Sequence, residues 1–201
     1  MLGVITEWLS GNYIEVLGAI LGILYIFLSI RQNILTWPTG LLTSVLYIYV
    51  FFQAKFYADM VLQFYYVFIS IYGWYYWIKG GQKVKKKEAP VTRINRNTFF
   101  MLIPATMIIY IIILYILTHY TDSPVPFMDS LTTALSIVAT WMLARKIIEH
   151  WLIWIFVDAV STGLYIYKEL WATSVLFTVY TVMAVIGYLE WKKGLKGNGN
   201  H

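Results

Sequence analysis

One carboxylate stands out, because it lies in a stretch with almost nothing else polar around it: Asp158 in WLIWIFVDAVSTGLYIY, residues 151–167. An ionisable group inside a membrane is costly unless it is paired or wet, so it marks a functional position by default. On a helix, Trp154 lies one turn before Asp158 and Thr162 one turn after it on the same face, with Trp151 a further turn back. An aromatic plane beside a carboxylate suits a flat cationic ligand, held by cation–π attraction and by charge. The competing assignment is a protonated Asp158 hydrogen-bonded to a neighbouring helix.

A second polar set lies nearer the start of the chain. Thr43 and Ser44 are followed one turn on by Tyr47, and Gln63, Tyr66 and Ser70 share one helical stripe; late in the chain Phe177, Tyr180 and Ala184 repeat that spacing. The expected substrate-binding set is therefore Asp158, Trp154, Trp151, Thr162 and Tyr180 together with Thr43, Ser44, Tyr47, Gln63 and Tyr66. Catalysis is not expected. Of the three histidines, His119 and His150 sit at the edges of apolar segments and His201 ends a GNGNH tail, and there is no H-E-x-x-H, G-x-S-x-G or phosphate loop. With no cysteine and no acidic or histidine cluster, neither a metal nor a cofactor is expected.

The elements that carry these residues are duplicated. Shifted by 114 positions without a gap, the chain places Arg31 on Arg145, Trp37 on Trp151, Tyr66 on Tyr180, Gly73 on Gly187 and Trp77 on Trp191. Ser44 falls on Asp158, so the copies agree in scaffold and differ in chemistry, as an asymmetric substrate requires. A repeat of this length holding three apolar stretches is the mark of a carrier built from duplicated helix triplets. A channel or passive scaffold gives no reason for such a duplication with an asymmetric polar interior.

Composition sets the solvent. With 60% hydrophobic and 12% charged residues and a mean hydropathy of +0.66, the 201-residue chain cannot cover a soluble domain with polar surface. A helix crossing the bilayer needs about 20 mostly apolar residues. Seven segments qualify: 13–30, 34–53, 57–78, 98–118, 126–144, 150–168 and 172–191. The first is not expected to be a cleaved signal, since no basic stretch precedes it and it belongs to the repeat. Moving from a span to its copy crosses the membrane four times, so the triplets are expected to be parallel, joined by an unpaired fourth span. The expected organisation is a first repeat over 13–80, a basic cytoplasmic linker over 81–97, a linker helix over 98–118 and a second repeat over 126–194: an all-α membrane protein of 3+1+3 arrangement.

Of the 15 lysines and arginines, 13 fall on one side when the spans alternate, leaving Lys55 and Lys168 on the other. The positive-inside rule puts the N-terminus outside and the C-terminus in the cytoplasm. The net charge of +5 is concentrated in the linker, where topology and anionic lipid account for it, so nucleic acid is not an expected partner. Gly18-x-x-x-Gly22 is matched by Thr132-x-x-x-Ser136, small residues that let helices approach. WPTG (37–40) reads as a helix start with Pro38 in its first turn. Trp74, Tyr75, Tyr76 and Trp77 beside Lys79 read as interfacial anchors.

The stretch TWPTGLLTSVLYIYVFFQAKFYADMVLQFYYVFISIYGWYYW (36–77) and its echo at 150–191, with FYADM, LQFYY and YGWYYW, resemble the nicotinamide riboside transporter family, PnuC. The resemblance covers all seven spans. It implies a fold similar to the SWEET sugar transporters, a homotrimer in the bacterial inner membrane, and facilitated diffusion of a small vitamin precursor that a cytoplasmic kinase then traps by phosphorylation. Nicotinamide riboside is the expected cargo and thiamine, carried by relatives, the alternative. A family pattern of Trp followed four residues on by Asn or Asp is matched by Trp154 and Asp158, and the third-span Gln and Tyr by Gln63 and Tyr66. Where many family members have Asn, this chain has Thr43 and Ser44 in the second span and Asp158 in the sixth.

Overall fold

The structure, a computed structural model, describes residues 13–53, 57–80, 89–167, 169 and 171–197. Seven helices occupy them: α1 (Tyr13–Ile30), α2 (Thr36–Gln53), α3 (Tyr57–Lys79), α4 (Arg96–Tyr120), α5 (Pro126–Ala144), α6 (His150–Tyr167) and α7 (Trp171–Gly197). Their limits lie within two residues of those expected from hydropathy, save that α7 continues six residues further through the basic Lys192 and Lys193. Arg96–Tyr120, Pro126–Ala144 and Thr173–Leu195 are each long and apolar enough to cross a membrane. No residue of α4 is buried, and Ile108, Ile111, Ile112 and Tyr115 stand exposed, an exterior suited to lipid.

The chain divides into two compact units, residues 1–88 and 89–201. In the first, α2 packs on both α1 and α3; in the second, α4 packs on α5, α5 on α6 and α6 on α7. The helix without a repeat partner thus packs with the second triplet, Leu102 and Ile109 lying against Val138, Met142 and Ile147.

Local chemistry sets the helix ends. The turn from α1 to α2 closes with Gln32 N–H donating to Ser29 O (3.0 Å) and Asn33 N–H to Leu28 O (2.9 Å), and Gln32 is left-handed at φ 54°. The turn from α5 to α6 repeats this bond for bond: Lys146 N–H to Leu143 O (2.9 Å), Ile147 N–H to Met142 O (2.9 Å), Lys146 at φ 53°. This is a Schellman ending, with a long polar residue where glycine is usual. Pro38 does lie in the first turn of α2. Asn95 caps α4, its Oδ1 accepting the Thr98 N–H at 2.7 Å. In α5, Ser136 Oγ donates to Thr132 O (2.8 Å) and Thr140 Oγ1 to Ser136 O (2.7 Å), so this most buried helix presents small residues with no idle hydroxyl proton at either position.

Each unit is clasped by the same three residues. In the first, Trp37 meets Trp77 edge-on at 5.3 Å, both fully buried, and the Trp37 ring covers Gly73. In the second, Trp151 meets Trp191 edge-on at 5.8 Å and covers Gly187. Trp77 is therefore not an interfacial anchor. It lies one turn past Gly73 on the inward face of α3, where Trp37 needs a partner, while Trp74 and Tyr75 stay exposed as anchors do. Gly18 also differs from expectation: its open side receives the ring of Tyr47 from α2, where a Cβ would stand 2.8 Å from Cζ, rather than another backbone.

Candidate functional site

The residues singled out from sequence fall on interior faces of α2 and α3 in the first unit and of α6 and α7 in the second. Asp158 lies at mid-length of α6 and is only 5% exposed. Its backbone carbonyl accepts the Thr162 hydroxyl at 2.8 Å, but among the described residues no hydrogen bond or ion pair reaches its carboxyl oxygens. The alternative of a protonated Asp158 donating to a neighbouring helix thus has no partner among the described residues. Trp154, one turn before it, is half-buried.

Trp151 has a different setting. Its ring is wedged over Gly187, tilted against His150 at 4.6 Å and edge-on to Trp191, so its faces are occupied by protein. His150 is fully buried, its Nδ1 2.7 Å from Ile147 O, packed 4.8 Å from Trp191. It packs into the clasp at the start of α6. Tyr180 is half-buried on α7, edge-on to Phe177 at 5.6 Å, and Phe177 in turn meets Tyr165 of α6 at 4.9 Å.

In the first unit Ser44 occupies the position equivalent to Asp158 and is buried to the same 5%. Thr43 spends its hydroxyl proton on Thr39 O (2.8 Å), as Thr162 does on Asp158 O, so both offer an acceptor and no free donor. Gln63 is half-buried with no bond to its amide among the described residues, and Tyr66 sits tilted against Tyr65 at 5.5 Å. Tyr47 is committed to the Gly18 notch and stacks on Phe51 at 5.6 Å.

Tyr25 of α1 was not singled out from sequence, yet its ring closes on Gly40, where a Cβ would lie 2.8 Å from Cε2 and 3.2 Å from the Ser70 hydroxyl. The equivalent trio in the second unit is Ala139, Trp154 and Ala184, with both alanines buried. The large aromatic residue comes from the first helix of one triplet and from the second helix of the other. Read as a trio across the repeat, that exchange of sizes was present in the sequence.

Among the described residues no group of three or more His, Cys, Asp or Glu is placed to hold a metal. In the second unit Asp158 offers a buried carboxyl one turn from the Trp154 indole, a pairing suited to a flat cation, and in the first unit Gln63 offers an amide with no bond among the described residues.

Comparison with known proteins follows the same line. A family model described as nicotinamide mononucleotide transporter matches residues 12–193. The nicotinamide riboside transporter PnuC of Escherichia coli (strain K12) is 27% identical over 212 residues, spanning 94% of this chain and 89% of that protein. The riboflavin/roseoflavin transporter RibM of Streptomyces davaonensis is 24% identical over 178 residues, spanning 88% of this chain and 83% of its own length. The crystal structure of the vitamin B3 transporter PnuC matches with a TM-score of 0.74 at 23% identity, over 96% of this chain and 86% of that one, which establishes the likeness of fold.

Proposed function

Because the chain belongs to the nicotinamide mononucleotide transporter family, we propose that it is a membrane carrier for nicotinamide riboside, a pyridinium nucleoside. The observation that carries the choice of a cationic cargo is Asp158, a carboxyl buried in an apolar helix with no partner among the described residues. A buried charge without compensation costs several kcal/mol, and a bound cation supplies the compensation. Trp154 stacks on the pyridinium ring, with Tyr66 and Tyr180 as further aromatic contacts. Gln63, Ser44, Thr43 and Thr162 bond the carboxamide and ribose, Thr43 and Thr162 as acceptors. Trp151 and Tyr47 act chiefly by holding the helices that present the others.

The seven helices span the bilayer as two parallel triplets joined by α4, a 3+1+3 arrangement of SWEET type, with the N-terminus outside and the C-terminus in the cytoplasm of a bacterial inner membrane. Transport runs down the gradient, with phosphorylation in the cytoplasm trapping the product, and the protein works as a homotrimer. The test is uptake of labelled nicotinamide riboside into proteoliposomes, with thiamine and riboflavin as competitors. Saturable uptake blocked by unlabelled nicotinamide riboside at lower concentration than by the other two supports the proposal. Preferential block by thiamine reassigns the cargo within the same cationic class, whereas preferential block by riboflavin removes the argument from charge.

A further inference from the structure

The segment 89–95 is docked on the second unit. Ala89 and Val91 are buried, and Ile94 packs against the Val138, Met142 and Ile147 cluster. Thr92 N–H donates to Lys146 O at 2.9 Å and Ile148 N–H to Thr92 O at 3.0 Å, a short parallel bridge to the turn between α5 and α6. A third bond comes from a side chain: Glu149 Oε2 accepts the Ile94 N–H at 2.9 Å. The next residue, Asn95, caps α4. Glu149 itself immediately precedes α6, whose second, fifth and ninth residues are Trp151, Trp154 and Asp158.

The first repeat has no carboxylate at the matching position. The position equivalent to Glu149 is Leu35, 54% exposed, and among the described residues the bridge at Thr92 is the one isolated bridge found. The turn between α1 and α2 closes with the same two main-chain bonds as its copy while carrying Leu35, so the carboxylate is not a requirement of the turn.

We infer that Glu149 is a positioning residue for substrate binding: by accepting the Ile94 N–H it ties the start of α6 to the segment that leads into α4, and so fixes the rotation and height of Trp154 and Asp158. The carboxylate accepts a charge-assisted bond in a half-buried setting, stronger than the neutral bonds around it. A small displacement at the start of a helix carries to every side chain along it, and binding geometry is sensitive to shifts well under a residue. The inference rests on Asp158 and Trp154 being substrate contacts.

The test uses the full-length protein in nanodiscs, as wild type, Glu149→Ala and Glu149→Gln, with hydrogen exchange of the peptide covering 89–95 and calorimetric affinity for nicotinamide riboside read on each. Glu149→Ala is expected to speed exchange at Ile94 about tenfold, from the loss of a charge-assisted bond, and to weaken binding about tenfold through misplacement. Glu149→Gln keeps an oxygen acceptor without the charge and is expected to fall between wild type and Glu149→Ala in both. If Glu149→Ala does not fold, Glu149→Asp, with an arm one methylene shorter, is read the same way. Unchanged exchange, or faster exchange with unchanged affinity, overturns the inference alone. A wild-type protein that binds no nicotinamide riboside overturns the functional reading and this inference with it.

Discussion

Gly73→Ala should be among the most damaging single-methyl additions in the chain. A Cβ there would stand 2.3, 2.4 and 2.5 Å from Cη2, Cζ2 and Cζ3 of Trp37. Ordinary carbon contacts lie near 3.5 Å or beyond, so the ring must retreat by about 1.2 Å. It has nowhere to go, since Trp37 and Trp77 are both fully buried and meet edge-on at 5.3 Å. Overpacking of this kind costs about 1–3 kcal/mol, here toward the upper end, and the better helix propensity of alanine returns about 1 kcal/mol. The net loss is about 2 kcal/mol, or about 4–8 °C in melting temperature for a chain of this size. Gly163→Ala is the matched control, because a Cβ at that helical position meets nothing within 4 Å and should gain up to about 1 kcal/mol. Melting in detergent, followed by intrinsic tryptophan fluorescence, separates them. Adding Trp37→Phe, which removes the clashing ring atoms, should make the Gly73→Ala change cheaper than it is alone. A Gly73→Ala protein as stable as Gly163→Ala would refute the clasp as described.

The left-handed turn residue gives a second test: Gln32→Gly should keep or raise the melting temperature, by up to about 1 kcal/mol in stability, while Gln32→Val, forced to φ 54°, should lower it. At the Tyr25–Gly40 contact, Gly40→Ala should destabilise alone, since its Cβ would lie 2.8 Å from the Tyr25 ring, and Tyr25→Leu should relieve it; the double-mutant coupling, read from melting, is expected at about 1 kcal/mol or more.

Helix limits were legible because hydropathy rises and falls with the spans, and the repeat was legible because its register runs without a gap from Arg31 to Trp77. What escaped was the choice between two uses of one residue type. Trp77 beside Lys79 has the composition of a membrane anchor, but the glycine one turn before it, repeated as Gly187 before Trp191, was the sign that the ring turns inward. Gly18 showed an open side without showing whether a backbone or the ring of Tyr47 fills it. Trp151 and Trp154 are alike in sequence, and only the clasp on Gly187 distinguishes the packed ring from the one left beside Asp158. Docking of 89–95 was invisible, since Glu149 is answered by a main-chain N–H 55 residues away and no pattern of side chains announces such a bond.

Asp158 carries the weight of the functional account, and its substitution by the isosteric amide tests that account most directly. In a bilayer mimetic, Asp158→Asn should fold with a melting temperature at or above wild type, because an uncompensated buried carboxyl is relieved. Its calorimetric affinity for nicotinamide riboside should fall by about tenfold or more, the loss of one buried charge pair with a cation. Equal affinity in the two proteins would contradict the account, placing Asp158 outside the site and leaving its burial without a substrate to explain it.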